Sequence, residues 1–413
     1  MKRAILFSIF IFVAMLSSAV YAQNNDDLSK DSFDKFKEEQ MKMFQDYKSE
    51  SVKKYNEYAE AMHAEYMKYL SSLKKVWGGK NVAEDTKTIW VEYSEDLKSR
   101  SVVDFDKGKI DVEIVLDDVN ESNSTIIEER LVNAVDDLLS SKGQTLPYDS
   151  KVDKQEELSK KPILDGLVDL SSYNVDESTV SKKKTADKKE SSSSDIDKEA
   201  IAKAIVEQSV KSTAKIKGED NKERKVVKIE MALVSDNLSK SAAVYKSYVE
   251  QYSRKFNIEQ PLIFAVMEQE SCFNPKAKSW VPAYGLMQLV PSSGGYDAYR
   301  YVYKKDWIPT QSYLYIPHQN IELGTAYLRI LMNQFSNVTD PDCRRLCVIA
   351  SYNTGAGNVS RAFTGNTNIK KAIPLINKYS YHQLYEHLTK KLSTDEARKY
   401  VSGVSKRREK YIK

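Results

Sequence analysis

The chain has 413 residues, which is long enough for two or three domains, and 41 % of them are hydrophobic, which is enough to fill real cores. Its formal net charge of +4 is too small to indicate a nucleic-acid partner, although it suits an anionic polymer. We therefore expect a folded protein that binds no nucleic acid.

The first 22 residues have the pattern of an export signal. Lys2 and Arg3 precede the apolar run AILFSIFIFVAML, and the small residues SSAVYA follow it, which predicts cleavage after Ala22. The run is short for a membrane span, so we expect no stable span after the signal is removed; an uncleaved N-terminal anchor is the alternative. No cysteine lies near the cleavage site, which argues against lipid attachment there.

Residues 23–238 alternate between helix and strand patterns. Apolar and aromatic residues recur every three or four positions from 33 to 77, which predicts a long helix with a Tyr- and Met-rich packing face. RSVVDF and KIDVEIVL, joined by DKG, predict a hairpin, and TIIEERLVNAVDDLLSSKG predicts a helix that ends before Gly143. KERKVVKIEMALV predicts a strand that rejoins the sheet of the hairpin. We expect one α+β domain, with a polar linker or exposed loop at about 181–195.

From Ser239 onward the sequence predicts helices alone. One of them is EQPLIFAVMEQES, with Pro261 in its first turn, where proline is tolerated. Several more follow up to the C-terminal segment DEARKYVSGVSKRREKYI. We therefore expect an all-α domain over residues 239–413, which is an ordinary size for a single domain.

The three cysteines are Cys272, Cys343 and Cys347. An exported protein meets an oxidising compartment, so one disulfide and one remaining thiol are allowed. Positions four residues apart rarely form a bridge, so the predicted pair is Cys272 with Cys343 or Cys347. The cysteines and the four histidines form no metal-ligand motif, and we expect no metal ion and no cofactor.

Glu270 lies at the end of an apolar helical segment. Burial removes hydration from a carboxyl group there, and the negative end of the helix dipole opposes its ionisation. Both effects raise its pKa, which keeps a proton available for general acid catalysis. The alternative for any single glutamate is an exposed helix end with no chemical role.

Six short motifs follow one another from Glu270 onward: ES, NPKAKS, YGLMQLVP, NIELGTAYL, ASYNTGAGNV and EARKYV. Together they resemble the lytic transglycosylases with a goose-lysozyme-like helical fold, over about residues 240–405. KKVWGGKNV, SRSVVDFDKGKIDVEIV and VKIEMALVSDNLSKSA are similar to the N-terminal domain of the membrane-bound lytic murein transglycosylase C subfamily. The resemblance implies an α+β N-terminal domain, an all-α lysozyme-like catalytic domain and a periplasmic location; secretion from the cell is the alternative.

The resemblance also implies roles for individual residues. Glu270 is the expected catalytic acid, which later acts as the base. The other expected site residues steady this acid, line the sugar groove or close the cleft: Ser271, Ser279, Met287, Gln288, Tyr352, Asn353, Glu396 and Tyr400. For Tyr352, Asn353 and Met287 the alternative is a role in packing or capping alone.

The chemistry implied by one acid differs from that of ordinary glycosidases, which use two carboxylates. Glu268 is two positions before Glu270 and points elsewhere on a helix, and Glu396 is the one other acid in the motifs around the predicted cleft. A lone acid is consistent with cleavage of the N-acetylmuramic acid–N-acetylglucosamine bond of peptidoglycan without water, which gives 1,6-anhydromuramic products. The alternatives are a goose-type-lysozyme-like hydrolase and a non-catalytic murein-binding or scaffolding protein. The N-terminal domain is the expected contact for a partner in the cell-wall machinery.

Overall fold

The computed structural model describes residues 26–120, 122–148, 152–175 and 198–412, with the backbone alone for residues 26–48. The predicted signal peptide and the predicted polar linker lie outside the described residues. The chain divides into two compact units, residues 1–56 and 57–413, and all features below belong to the second unit except the first part of helix α1. None of the helices in the described ranges is long and apolar enough to cross a bilayer.

Helix α1 spans Asp26–Trp77, so it begins before the predicted residue 33 and ends at the predicted position. Its end is fixed by Gly78, whose φ of 78° lies in the left-handed region that side chains disfavour. A Cβ atom on Gly78 would lie 2.3 Å from the carbonyl oxygen of Lys217, so only glycine allows this close approach.

The N-terminal region forms a five-stranded antiparallel sheet with the strand order β1-β2-β3-β5-β4. The predicted hairpin is β2 with β3, and β5 pairs with β3 through partners such as Ile110 and Met231, so both predictions are confirmed. The edge strands β1 and β4 were not predicted. The strands are β1 Ile89–Tyr93, β2 Ser99–Asp104, β3 Lys109–Leu116, β4 Ser212–Lys217 and β5 Glu223–Ala232.

Both faces of the sheet are covered. On one face pack helix α2, Ser124–Ser140, and helix α3, Lys198–Gln208, which bury alternate residues of β3 and β5. On the other face Trp77 and Leu73 of α1 pack against Val115 and Val226. Because both faces are covered, the last three residues of β3, Ile114, Val115 and Leu116, are all apolar and all buried, and the strand does not alternate between apolar and polar residues there.

The C-terminal region is all helical, as predicted, and surrounds its own hydrophobic core. Two partly buried residues, Ile163 and Leu238, pack against both this core and the sheet core. The helices are α4 Asn237–Phe256, α5 Gln260–Ser271, α6 Tyr296–Tyr303, α7 Gln311–Tyr315, α8 Pro317–Gln334, α9 Pro341–Thr354, α10 Ala356–Thr364, α11 Ile369–Ile376, α12 Tyr381–Lys391 and α13 Asp395–Lys410.

The disulfide allowed by the sequence is not formed, since all three cysteines are free, buried thiols. Cys272 packs in the sheet core with its Sγ 3.6 Å from Asp106 Oδ1, and burial raises its thiol pKa to about 12. Cys343 and Cys347 pack instead in the helical core, so Cys272 faces a different interior from its predicted partners. Among the described residues, no group of three or more His, Cys, Asp or Glu side chains could hold a metal ion.

Candidate active site

Glu270 lies in the last turn of α5, a helix that is buried on nearly all sides. The helix begins with Pro261 in its first turn and ends where Cys272 and Phe273 adopt left-handed φ values of 48° and 65°. Glu270 is only 5 % exposed and lies close to the negative end of the helix. The expected buried acid is therefore present at this position.

Four side chains from three other segments surround the Glu270 carboxyl. Lys87 Nζ lies 3.6 Å from Glu270 Oε2 and 3.9 Å from Glu396 Oε1. The Tyr400 hydroxyl is close enough to influence the Glu270 carboxyl, although it makes no regular hydrogen bond among the described residues. The Tyr352 side chain also lies near this carboxyl. Burial raises the pKa of Glu270; Lys87 and Tyr400 oppose this rise, and the negative charge of Glu396 adds to it.

The loop 284–289 beside Glu270 is held in one conformation by a buried asparagine. Asn320 on α8 accepts a hydrogen bond from the Met287 amide at 2.8 Å and donates to the carbonyl oxygens of Tyr284 and Leu314 at 2.8 and 2.7 Å. Gly285 has a φ of 75°, and a Cβ atom there would lie 2.2 Å from Leu314 O. Asn320 was not among the site residues predicted from the sequence, although it is the first residue of the NIELGTAYL motif.

Two expected site residues hold the same loop. The Ser271 hydroxyl lies 2.8 Å from Leu286 O and 2.9 Å from Met267 O, and the Tyr352 hydroxyl donates to Met287 O at 2.9 Å. The Met287 side chain is fully buried against Gly324, where a Cβ atom would lie 2.2 Å from its sulfur. The expectation that Met287 lines the groove is therefore corrected: its side chain packs underneath the loop.

A groove is lined by Gln288, Tyr352 and Asn353 together with Tyr327 and Val290, and Tyr352 lies near Glu270. The Gln288 side-chain amide donates to Ala277 O at 2.8 Å and to Gly285 O at 3.1 Å. Its buried Oε1 has no hydrogen-bond partner in the described part of the chain. Asn353 Nδ2 donates to Glu396 Oε1 at 3.3 Å, which links the groove to α13.

Ser279 is the expected site residue that stands apart. Its hydroxyl donates to Val281 O and accepts from the Ala283 amide at 3.3 Å, so it closes its own loop. The described structure thus brings five of the expected residues together around the Glu270 carboxyl or next to one another. Three more, Ser271, Met287 and Gln288, belong to the loop 284–289 or bind its backbone. The five are Glu270, Tyr352, Asn353, Glu396 and Tyr400.

Three glutamates are buried in the described ranges, and Glu270 differs from the other two. Glu268 accepts from Lys410 Nζ and the Tyr411 hydroxyl, both at 2.6 Å. Glu322 accepts from Lys255 Nζ at 2.6 Å. The cation nearest to Glu270 is a full ångström further away, so this carboxyl is the least neutralised of the three.

The contact of Lys87 with Glu270 was also not predicted, because Lys87 belongs to the sheet region and to none of the six motifs. It lies in the segment before β1, and Asn274 Nδ2 is 3.4 Å from the carbonyl oxygens of both Thr86 and Lys87. The Lys278 amide donates to Thr86 O at 3.2 Å. No sequence signal marks this contact, since it depends on how the two regions pack.

Comparison with known proteins identifies two family matches along the chain. Residues 52–244 match the membrane-bound lytic murein transglycosylase C N-terminal domain, and residues 247–373 match the transglycosylase SLT domain. The chain also resembles the 70 kDa soluble lytic transglycosylase from Escherichia coli at 26 % identity. That likeness covers 43 % of this chain and 25 % of that one, with a TM-score of 0.33, which is too low to support a conclusion about fold.

Curated relatives match most of the chain. Proteins named membrane-bound lytic murein transglycosylase C from Salmonella arizonae and Klebsiella pneumoniae are each 31 % identical over 345 residues. Both alignments cover 83 % of this chain and 87 % of the relative, and the protein of that name from Cronobacter sakazakii is 31 % identical over 349 residues. At this identity and coverage, the chain belongs to the membrane-bound lytic murein transglycosylase C family of enzymes.

Proposed function

We propose that the protein cleaves the β-1,4 bond between N-acetylmuramic acid and N-acetylglucosamine in peptidoglycan by transglycosylation, with Glu270 as general acid and then general base. Membership in a family named for murein transglycosylation supports the substrate and the reaction class. The identity of the acid and the chemical form of the product are our inferences from the residues around the cleft.

The observation that carries the proposal is the loosely paired, buried carboxyl of Glu270. Burial raises its pKa, so it keeps its proton at a higher pH than an exposed glutamate does. Tyr352, which lines the groove, also lies near Glu270, and a protonated carboxyl placed there can donate to a glycosidic oxygen. The oxygens of the buried Glu268 and Glu322, by contrast, already accept close hydrogen bonds from lysine ammonium groups and tyrosine hydroxyls.

In the first step, Glu270 donates its proton to the glycosidic oxygen, and the bond from that oxygen to C1 of the muramic sugar breaks. The electron pair stays with the oxygen, which leaves as a hydroxyl of N-acetylglucosamine, and positive charge develops at C1. In the second step the C6 hydroxyl of the same muramic sugar attacks C1, and the Glu270 carboxylate accepts the proton of that hydroxyl. Proximity within one sugar favours this attack, and no water is consumed.

The runner-up is a hydrolase of the same bond, and one observation favours it. Glu396 and Glu270 contact the same ammonium group, so a second carboxylate stands close to the proposed acid. Hydrolases place such a carboxylate to activate water. Glu396 is 71 % exposed and already accepts from Asn353, which suits a group at the mouth of the cleft better than a base that holds one water.

The chemical form of the products tests the proposal. Purified peptidoglycan is incubated with the protein lacking residues 1–22, and the released muropeptides are analysed by mass spectrometry with and without borohydride reduction. We expect products that are one water lighter than hydrolysis products and that resist reduction. Reducing, hydrated products would establish the hydrolase, and binding without release would indicate a non-catalytic wall-binding protein. Glu270→Gln protein treated in parallel controls for contaminating activity.

We also propose that the protein acts in the cell envelope, in the periplasm. The curated relatives are named membrane-bound, and the N-terminal pattern of this chain is that of an export signal. Fractionation of cells that produce the full chain, together with N-terminal sequencing of the recovered protein, tests both the location and cleavage after Ala22. Recovery from the cytoplasm with Met1 intact would contradict this proposal.

A further inference from the structure

The cation beside Glu270 comes from the sheet region and not from the helical region that holds the groove. Lys87 precedes β1, and its ammonium group is the one described cation that contacts Glu270 within 4.0 Å. The same group contacts Glu396, which projects from the first turn of α13. Lys87 therefore stands between the proposed acid and the carboxylate at the mouth of the cleft.

The backbone around Lys87 is fixed on both sides. Thr86 N donates to Ile89 O at 3.0 Å, and Ile89 N donates in turn to the Thr86 side-chain hydroxyl at 3.1 Å. The carboxylate of Asp85 accepts from the Val91 amide at 2.8 Å and pairs at 3.6 Å with the buried Lys276. Because Lys276 belongs to the loop after α5, this network ties the turn to the helix that ends at Glu270.

A mobile surface ion pair contributes little to stability or reactivity. The pair of Lys87 with Glu270 differs, because the carboxylate side chain is only 7 % exposed and the turn that carries the lysine is anchored. Water therefore screens the attraction only from the lysine side. The other groups that face Glu270 are Glu396 and Tyr400 of α13 and Tyr352 of α9, and Lys87 is the one cation among them.

We propose that Lys87 is a positioning residue of the active site, by which the sheet domain supplies the positive charge that stabilises the Glu270 carboxylate after it has donated its proton. The inference rests on the proposed function of Glu270. An acid is stronger when its conjugate base is stabilised, so Lys87 favours the first step of the reaction. The same contact aims the carboxylate at the cleft for the return of the proton. On this basis the helical domain alone carries an incomplete site.

Four full-length variants test the role of Lys87, and the fourth, Glu396→Gln, removes the other charge beside Glu270. Lys87→Met removes the charge and keeps most of the side chain, and Lys87→Arg keeps the charge. Lys142→Met is the matched control, since Lys142 belongs to the same domain, is 41 % exposed where Lys87 is 40 % exposed, and pairs with the surface residue Glu157. For each protein, kcat and kcat/KM for muropeptide release are measured from acid to alkaline pH.

We expect Lys87→Met to reduce kcat at neutral pH by about tenfold, a part of what general acid catalysis contributes, with little change in KM. Without the lysine the carboxylate is less stable, so the pKa of Glu270 rises and the alkaline limb of kcat/KM moves to higher pH. Lys87→Arg should restore most of the activity and the position of that limb. Glu396→Gln, which removes a negative charge, should move the limb in the opposite direction.

An unmoved alkaline limb in folded Lys87→Met, or a rise in KM alone, would overturn the proposal and assign Lys87 to packing or to substrate binding. Equal losses in Lys87→Met and Lys142→Met would overturn it as well. Failure of the proposed role of Lys87 is distinguishable from failure of the proposed function. If the unchanged protein released reducing products, the transglycosylase chemistry would fail, yet the shift in Lys87→Met would still report an effect on Glu270.

Discussion

Helix α5 carries a buried glutamate on each of two opposite sides, and only one of the two is closely paired with cations. Glu268 and Glu270 are two positions apart, so their side chains leave the helix in nearly opposite directions, and both are buried. Glu268 faces the end of α13 and receives close contacts from Lys410, Tyr411 and, at 3.3 Å, Arg407. Glu270 faces the start of α13 and has one cation at 3.6 Å.

Burial alone therefore does not make a carboxylate reactive. A buried carboxylate with several close donors is stabilised in its charged form and holds two helices together. A buried carboxylate with few donors is easier to protonate, and its proton can be transferred. Glu268 and Glu270 differ in the number of hydrogen-bond donors around them and in the distance of those donors. These donors come from α13, from Tyr411 just after it and from the segment before β1.

The largest effect should follow from Glu270→Gln. The amide keeps the shape of the side chain and cannot donate a proton to the glycosidic oxygen, so we expect turnover of peptidoglycan to fall by about 10³-fold. Muropeptide release measures this loss, and circular dichroism checks that the variant is folded. Turnover near that of the unchanged protein in a folded variant would refute Glu270 as the acid.

The same variant should be more stable than the unchanged protein at neutral pH. Burial raises the pKa of Glu270 in the folded state above its usual value of 4.5. Such a group binds its proton more tightly when folded, so its stabilisation is greatest below about 4.5 and is lost as pH rises through the raised pKa. The free energy of unfolding should therefore fall with rising pH by more in the unchanged protein than in Glu270→Gln, which denaturant titrations at several pH values measure.

Glu268→Gln should affect stability and not chemistry. The substitution weakens the contacts with Lys410 and Arg407 inside the α5–α13 interface, and we expect a loss of about 2 kcal/mol in the free energy of unfolding. The folded variant should keep its kcat, because Glu268 lies on the side of α5 away from the cleft. A large loss of kcat in folded Glu268→Gln would mean that the two sides of the helix are not separate.

The sequence was sufficient for much of the fold. Apolar periodicity and the glycine positions predicted α1, the hairpin of β2 and β3, the return of β5 and the all-helical C-terminal region. The edge strand β4 was missed because its burial is slight, with Ile216 as its one partly buried apolar residue. Helix α3 was missed although Ile201, Ala202, Ile205 and Val206 have a helical spacing, because it directly follows the polar segment.

For the site, family motifs identified the residues that meet at Glu270, but not which of them reach the groove. Met287 stands in a motif, and only the packing against Gly324 reveals that it is buried. Asn320 begins the NIELGTAYL motif, yet its three hydrogen bonds depend on the conformation of the loop 284–289. Lys87 could not be found from sequence, because the contact with Glu270 joins segments that are far apart in the chain.

A further test concerns the loop 284–289, which is held by the Tyr352 hydroxyl near Glu270. Tyr352→Phe removes the hydroxyl that donates to Met287 O, which leaves a buried carbonyl oxygen without this donor. We expect the free energy of unfolding to fall by about 1–2 kcal/mol and kcat to fall with it, because the loop 284–289 is less firmly held. Denaturant titration and muropeptide release measure the two effects, and unchanged stability would show that the hydroxyl is not needed to hold the loop.

Tyr400→Phe is the counterpart on α13 and should have the smallest effect of the four. The Tyr400 hydroxyl is buried without a regular hydrogen bond among the described residues, so its removal should leave the free energy of unfolding unchanged or slightly higher. Its proximity opposes the effect of burial on the pKa of Glu270, so that pKa should rise and the alkaline limb of kcat/KM should move to higher pH. A stable variant with a shifted limb would separate the tuning of the acid from the support of the fold. A destabilised variant with an unmoved limb would instead show that Tyr400, like Glu268, supports the fold and does not tune the acid.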